Sequence, residues 1–436
     1  MFHSQATHRI RIEVEVRISV TTTRLEVSDF DLTKHLPDNP LAFVRQGDGL
    51  IGFGEALTLT ANGADRIENL AKQWRELTEQ ASVSDSVNLP GSGLVAFGAI
   101  AFADSSKVTS RLIVPKLLVG KRDDRVWLTR VQIEDGAPAD QNAIAGTASI
   151  DPDFFSTEQQ YRAETRMDLK PGQVTEAHFE DLVSEAVAEI KAGNLKKVVL
   201  ARDLQAELPE NFDVRPALLK LTDRFPTCWV YSVAGSFGAS PELLVRVSHG
   251  QVSARVLAGT AGRGTDPGVD QAIATALSNS EKNIREHSFA VESLVSKLEP
   301  FCDHVDAAPK PFSLALPNVW HLATDVHGVL NAKSSVLDVA AALHPTAAVA
   351  GTPRDKAQQL IEKLEQVDRG LYAGPVGWIG ADGDGEWAIA LRGAQISDRQ
   401  LVAFAGCGIV FDSEPASEFA ETELKFSPIR QALASL

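Results

Sequence analysis

The residues that could do chemistry here are recognisable by type and spacing rather than by one short motif. Ser413–Lys425 (SEPASEFAETELK) carries Glu414, Glu418, Glu421 and Lys425 at intervals of four, three and four. That spacing sets them on one stripe of a helix, with Ser413 as N-cap and Pro415 in the first turn. The plain reading is a solvated face with a Glu421–Lys425 ion pair. The sharper one is a pair of carboxylates on adjacent turns holding a hard divalent cation such as Mg²⁺. Just upstream, Ala405–Val410 (AGCGIV) is rich in glycine, which lets backbone N–H groups approach an anion. Three more residues have acid–base or ligand chemistry. Lys197 opens a β-branched run, Glu242 follows Ser-Pro, and Glu286 lies off the apolar seam Ile284, Val291, Leu294, Val295 and Leu298. Singly, they read as a strand-end lysine, a turn glutamate and a surface glutamate.

Composition limits what such residues could serve. The chain has 436 residues, 44% hydrophobic and 23% charged, close to globular averages and far from disordered or fibrous chains. There is enough chain for ~3 domains, although large mixed α and β enzymes often run as one unit. With 42 Lys and Arg against 58 Asp and Glu, the net charge is −16. An acidic chain without a basic tract is a poor ligand for nucleic acid or an anionic membrane. A small anionic substrate would need a metal ion or converging Arg and Lys to reverse that background locally. No run approaches the ~18 apolar residues of a membrane span, and the N-terminus shows no signal-peptide core. Cys228, Cys302 and Cys407 are scattered and odd in number, so a reducing cytoplasm is the expectation.

The elements that must position these residues follow from periodicity. Arg9–Val20 alternates as a half-buried strand, and 63–82 has helical spacing. Apolar runs at 94–102, 111–118 and 125–133 predict strands, and 134–160 is the one long, weakly patterned connection. A helix is predicted from Thr175 to a cap at Gly193, then a strand at Lys197–Leu204, a helix at Arg215–Arg224 and a strand at Cys228–Ala234. Runs 242–247 and 252–257 form a hairpin, and one long helix is predicted over 272–298. Another helix covers 354–367. Strands 376–380 and 387–392 meet at Asp382-Gly-Asp-Gly, and strand 401–405 precedes the C-terminal helix. Hairpins mixed with helices, without regular βαβ alternation, predict an α+β fold.

Familiar motifs fail on inspection. The turn at Asp382, Asp384 and Glu386 has Trp387 and Gly393 where a calcium loop needs Gly and Glu. Gly259–Gly264 lacks the Lys-Ser/Thr of a phosphate loop, and neither HExxH nor GxSxG occurs.

The ordered strings, however, resemble the chorismate-utilising enzymes: isochorismate and salicylate synthases and the large subunits of anthranilate and aminodeoxychorismate synthases. They are KVVLAR (Lys197–Arg202), SPEL (Ser240–Leu243), AGT (Ala258–Thr260), EH (Glu286–His287), HLAT (His321–Thr324) and LHPTAAVAG (Leu343–Gly351). DRGLYAGPVGW (Asp368–Trp378), ALR (Ala390–Arg392), AGCGIV and EFAETELK (Glu418–Lys425) follow. The resemblance implies one large domain of two mostly antiparallel sheets packed as a sandwich with helices outside. Residues 1–150 would be the variable part completing that core, and 151–436 the catalytic region. It implies Mg²⁺ held by Glu286, Glu418 and Glu421 against the ring carboxylate of chorismate. Tyr372 and Arg392, with backbone N–H groups near Gly406 and Gly408 and support from Lys425, would take the enolpyruvyl carboxylate. Gly259, Thr260, His321 and Ala348 would line the substrate.

Within the family, Lys197 stands where water-using members carry the general base and ammonia-using members typically carry Gln. Ala258 stands where many aminodeoxychorismate synthases carry a nucleophilic Lys. Ala348 and the LHPT string favour stopping at isochorismate over salicylate, in which pyruvate is also eliminated. The implied activity is therefore isochorismate synthase, an isomerase, with Lys197 as base and Glu242 as acid. The resemblance leaves open whether the product goes to menaquinone, a siderophore or salicylate, and implies a monomer without an obligatory glutaminase subunit. Salicylate synthase is the alternative, anthranilate-type activity the third, and a non-catalytic acidic binding protein the last. Cys407 departs from the usual Ala, and Gly262 from a frequent Pro.

Overall fold

The computed structural model describes residues 17–27, 29–134, 161, 167–315 and 319–434. The predicted connection over 134–160 lies outside them apart from its first residue, as does the start of the N-terminal strand, which is described over Arg17–Leu25.

Apolar spacing becomes burial where helices were predicted. Helix Glu176–Lys191 is capped by the Thr175 hydroxyl, which accepts the His178 N–H, and it buries Phe179, Leu182, Val183, Ala186, Val187 and Ile190. Helix Arg66–Glu79 buries Ile67, Leu70, Ala71 and Trp74. The long helix predicted over 272–298 is two helices, Pro267–Asn279 and Glu281–Leu298. Ser280 breaks it, because its extended backbone ends one helix while its side chain accepts the Asn283 N–H of the next. The C-terminal helix runs Pro415–Leu433, and its N-cap is Glu414 rather than Ser413. The Ser413 hydroxyl instead accepts the Val410 N–H at 3.0 Å.

The fold is α+β, as predicted. Among the described residues the strands link into one hydrogen-bonded network of 21, not two separate sheets. Pairing is antiparallel except between Arg17–Leu25 and Ala81–Asp85. Two long strands account for the continuity. Asp48–Ala61 shifts register between Glu55 and Leu57, and Gln251–Gly262 between Leu257 and Thr260. A bulge bends a strand while its pairing continues, so the sheet turns a corner instead of ending. Strands from opposite ends of the chain pair directly: Val95–Ala99 with Pro375–Gly380, and Leu41–Arg45 with Trp229–Val233.

Two central strands position the site. Lys197–Glu207 pairs antiparallel with Gln400–Ile409 along its whole length, from Val198↔Ile409 to Glu207↔Gln400. The strand predicted over 401–405 thus continues through the glycine-rich segment to Ile409. The strand Gly393–Ser397 between them in sequence, not predicted, pairs with Gln400–Ala403.

Candidate active site

Lys197 is the first residue of its strand, and its backbone lies against Thr352 and Gly351. Gly351 has φ +141°, and a Cβ there would collide with the Lys197 carbonyl oxygen, so only glycine allows this approach. The Lys197 side chain is half-buried and lies in the fields of Glu242, Lys425 and Glu421. Burial lowers its pKa; the Glu242 charge pulls the other way and is outweighed. Glu242 sits in the Ser-Pro-Glu turn before strand Leu243–Ser248. The Ser240 hydroxyl accepts the Glu242 N–H at 3.2 Å, and the Glu242 carbonyl accepts the Ile389 N–H at 3.0 Å. Burial raises the Glu242 pKa against the opposing pull of Lys197, Arg392 and Lys425. A half-buried pair shifted in these directions moves toward a neutral amine beside a protonated acid, the forms that general base and acid chemistry require.

Arg392 lies just after strand Gly385–Ile389 with φ +53°. Its guanidinium is close enough to feel Tyr372, Glu421 and Glu242, and burial lowers its pKa. No salt bridge engages it among the described residues. Tyr372 is buried and stacked on Phe404 with ring centroids 5.3 Å apart. Burial pushes its pKa up to about 12, so it remains a neutral hydrogen-bond donor.

Lys425 makes the spacing-predicted ion pair with Glu421, at 2.5 Å, and also donates to the Gly406 carbonyl at 2.8 Å. The ladder explains why that carbonyl is reachable. Val199 and Ala201 direct their N–H groups away from the glycine strand, to the Ala350 carbonyl and the Glu365 carboxylate. They are therefore non-hydrogen-bonded partners of Gly408 and Gly406, whose own N–H and C=O groups face the opposite edge. Gly406 and Gly408 thus present backbone donors beside Lys425.

Cys407, between them, is buried, and its thiol lies in the field of the Glu418 carboxylate. Burial together with that carboxylate raises the thiol pKa, so it stays protonated. His321 feels Lys197 and is hydrogen-bonded to the Gly259 backbone, and burial lowers its pKa. Thr260 pairs with His321 across the ladder.

Two predicted residues stand apart. Glu286 is on the exposed face of helix Glu281–Leu298. Its neighbour His287 faces inward, between the Ala258 carbonyl at 3.0 Å and the Thr324 hydroxyl at 2.7 Å. Ala348 is exposed in the loop after Leu343. Glu286, Glu418 and Glu421 offer only hard oxygen donors, and Glu421 is 46% exposed, so the donor set fits a hard divalent cation in kind. Among the described residues, though, no group of three or more His, Cys, Asp or Glu is drawn together closely enough to hold a metal ion.

Sequence reasoning missed Glu365 and Arg202. Arg202 is 2% exposed, hydrogen-bonds Thr422 at 2.6 Å, pairs with Glu423, and stacks on Phe419 and Phe426 at 4.3 and 4.8 Å. It ties the Lys197 strand to the C-terminal helix. Glu365 showed one signal: it falls on the apolar stripe Ala357, Leu360, Ile361 and Leu364 of helix Arg354–Glu365.

Among the described residues, no helix is long and apolar enough to cross a membrane. Comparison with known proteins places this geometry. The family model described as chorismate binding enzyme matches residues 6–434. Isochorismate synthase MenF of Bacillus subtilis is 30% identical over 405 residues, 88% of this chain and 85% of that protein. The crystal structure of MenF, the menaquinone-specific isochorismate synthase of Escherichia coli, superposes with a TM-score of 0.75 at 25% identity, covering 95% of this chain and 94% of that one. Anthranilate synthase component I of Streptococcus pneumoniae shares the fold, with a TM-score of 0.63 at 21% identity over 99% and 95% of the two chains. With the family model matched over residues 6–434 and a relative 30% identical along most of both chains, the chain belongs to the chorismate-binding enzyme family.

Proposed function

We propose that this protein is an isochorismate synthase, which adds water at C2 of chorismate and expels the C4 hydroxyl with migration of the double bonds. The observation that carries this reading is the half-buried Lys197–Glu242 pair, shifted toward a neutral base and a protonated acid in the field of Arg392. Lys197 takes a proton from the attacking water as its oxygen bonds C2. Glu242 gives its proton to the departing C4 hydroxyl, which leaves as water. Atoms balance, because one water enters and one leaves.

Arg392 and Tyr372 receive the enolpyruvyl carboxylate, joined by the N–H groups of Gly406 and Gly408, with Lys425 holding that edge. Glu286, Glu418 and Glu421 are the residues that would hold Mg²⁺. The ion supplies positive charge for the ring carboxylate in an otherwise acidic protein. The neutral bias of Lys197 favours water over ammonia as nucleophile, since a base beside C2 activates water whereas ammonia needs no such activation.

Incubation of purified protein with chorismate and Mg²⁺, with and without EDTA, tests the reading when products are separated and pyruvate is assayed in the same tubes. Isochorismate in an EDTA-sensitive reaction without matching pyruvate is the expected result. Salicylate with equimolar pyruvate would move the assignment to salicylate synthase. No turnover by folded protein would remove the enzymatic reading.

A further inference from the structure

The outer edge of the Lys197 strand is paired with main chain at its two ends but not between them: Lys170 and Pro171 pair with Gln205 and Leu204, and the Gly172 N–H donates to the Asp203 carbonyl at 3.0 Å. Gly351 and Thr352 pair with Val198 and Lys197, and the Ala350 carbonyl then accepts the Val199 N–H at 2.8 Å. Beyond that point two side chains take over. Arg369 Nη2 donates to the Val199 carbonyl at 2.7 Å, and Glu365 Oε1 accepts the Ala201 N–H at 2.8 Å. Arg369 and Glu365 are themselves joined by two hydrogen bonds of 2.8 and 2.5 Å, and are 3% or less exposed. A buried donor and acceptor thus fill the gap in the ladder between the two short main-chain pairings, satisfying main-chain groups that water cannot reach.

The same guanidinium reaches two other parts of the site. Arg369 Nη1 donates to the Val349 carbonyl at 3.1 Å, one residue from Ala348. It lies over the Phe102 ring at 4.6 Å and 6.0 Å from the centroid of Tyr372, three residues on. The Arg369 carbonyl accepts the Tyr372 N–H at 3.0 Å and the Gln395 side-chain amide at 2.8 Å. Phe102 in turn accepts at its carbonyl from His344, which begins the Ala348 loop.

We infer that the Glu365–Arg369 pair is a positioning device for the reaction, a side-chain splint that sets the Lys197 strand, the Ala348 loop and the Tyr372 turn relative to one another. Neither residue touches the space between Lys197, Glu242 and Arg392, so their action is through the segments they hold. A purely structural ion pair would be replaceable by apolar side chains of similar volume, because buried pairs often contribute little net stability. A splint is not replaceable in this way, because leucine and methionine offer the strand edge neither donor nor acceptor.

The inference rests on the functional reading above for its activity assay, and a second readout keeps the two separable. The double variant Glu365→Leu/Arg369→Met is compared with wild type by thermal unfolding, by kcat and KM for chorismate, and by NMR titration of ¹³C-dimethylated Lys197. The signal is assigned with Lys197→Arg. A folded double variant is expected to lose at least tenfold in kcat, with a shifted pH profile and a Lys197 titration moved toward that of an exposed lysine. A folded double variant with kcat and KM within twofold of wild type and an unchanged Lys197 titration overturns the splint. If the double variant does not fold, Glu365→Gln is held to the same criteria. A wild type that does not convert chorismate sinks the functional reading alone, since the Lys197 titration needs no turnover.

Discussion

Gly408 lies directly beneath the Lys197 side chain: a Cβ added to Gly408 would sit 2.7 Å from Lys197 Cε and 3.3 Å from Nζ. The glycine strand and the Lys197 strand are therefore matched in side-chain volume, not merely in hydrogen bonding. Gly408→Ala is expected to push the amine off its position while leaving the ladder intact. Misplacement on the scale of 1 Å costs about 100-fold, so kcat should fall roughly 10- to 100-fold with little change in Tm. Retention of full activity would show that the Lys197 geometry has slack.

The Lys197–Glu242 pair makes a prediction about stability as well as rate. Loss of a positioned acid or base costs about 10²–10⁴ in rate, and Lys197→Met and Glu242→Gln should each fall in that range. Stability should move in opposite directions with pH. Folded Lys197 refuses a proton that the unfolded chain binds, so wild-type stability gains from this group as pH rises toward its ordinary value of 10.5. Folded Glu242 keeps a proton that the unfolded chain releases above its ordinary 4.5, so its contribution is lost as pH rises through the folded value. Lys197→Met should therefore be slowed by that factor yet more stable at pH 7, by about 1 kcal/mol. Denaturant melts of both variants across pH check the two slopes, and a Met variant less stable than wild type contradicts the burial argument.

The same shifts shape the rate profile. Activity should rise as Lys197 loses its proton and fall as Glu242 loses its own, producing a bell whose alkaline limb disappears from the residual activity of Glu242→Gln. A wild-type rate that keeps rising at high pH would remove Glu242 from the acid role.

Metal dependence should follow the C-terminal helix. Glu421 is already paired with Lys425, and Glu418 lies near enough to the Cys407 thiol to raise its pKa. Glu418→Gln and Glu421→Gln should each raise the Mg²⁺ concentration for half-maximal activity by about tenfold or more. Thermal shift against Mg²⁺ gives a second readout. Unchanged Mg²⁺ dependence in both variants would move the metal elsewhere.

Arg202 should matter for the anchoring of that helix. Arg202→Met keeps the volume between Phe419 and Phe426 but leaves Thr422, buried beneath it, without this donor. Glu423 keeps Arg430 as a partner at 2.6 Å and is 36% exposed, so it is not stranded. The expected cost is about 2–3 kcal/mol, below that of fully breaking a buried pair. Urea unfolding measures it, and a cost under about 0.5 kcal/mol would mean that the apolar contacts alone hold the helix.

Much of this protein was legible from the chain alone. The spacing of Phe179, Leu182, Val183 and Val187, Gly193 at the end of their helix and the Glu421–Lys425 interval each report local geometry, and local geometry is what periodicity encodes. The ordered strings likewise pointed to the family, because they name residues whose types must recur wherever this chemistry is done. Tertiary structure decided what depends on partners distant in sequence. Ser280 divides a continuous helical pattern because its cap outweighs propensity, and AGCGI becomes a strand because Val198–Arg202 lies alongside it, some two hundred residues earlier. The burial of Lys197 and Glu242, and hence the direction of their pKa shifts, exists only when several segments close around them. Glu365 looked like a misplaced charge on an apolar stripe. Only the folded chain shows that it faces the Ala201 N–H and Arg369, where an apolar residue would leave both unsatisfied.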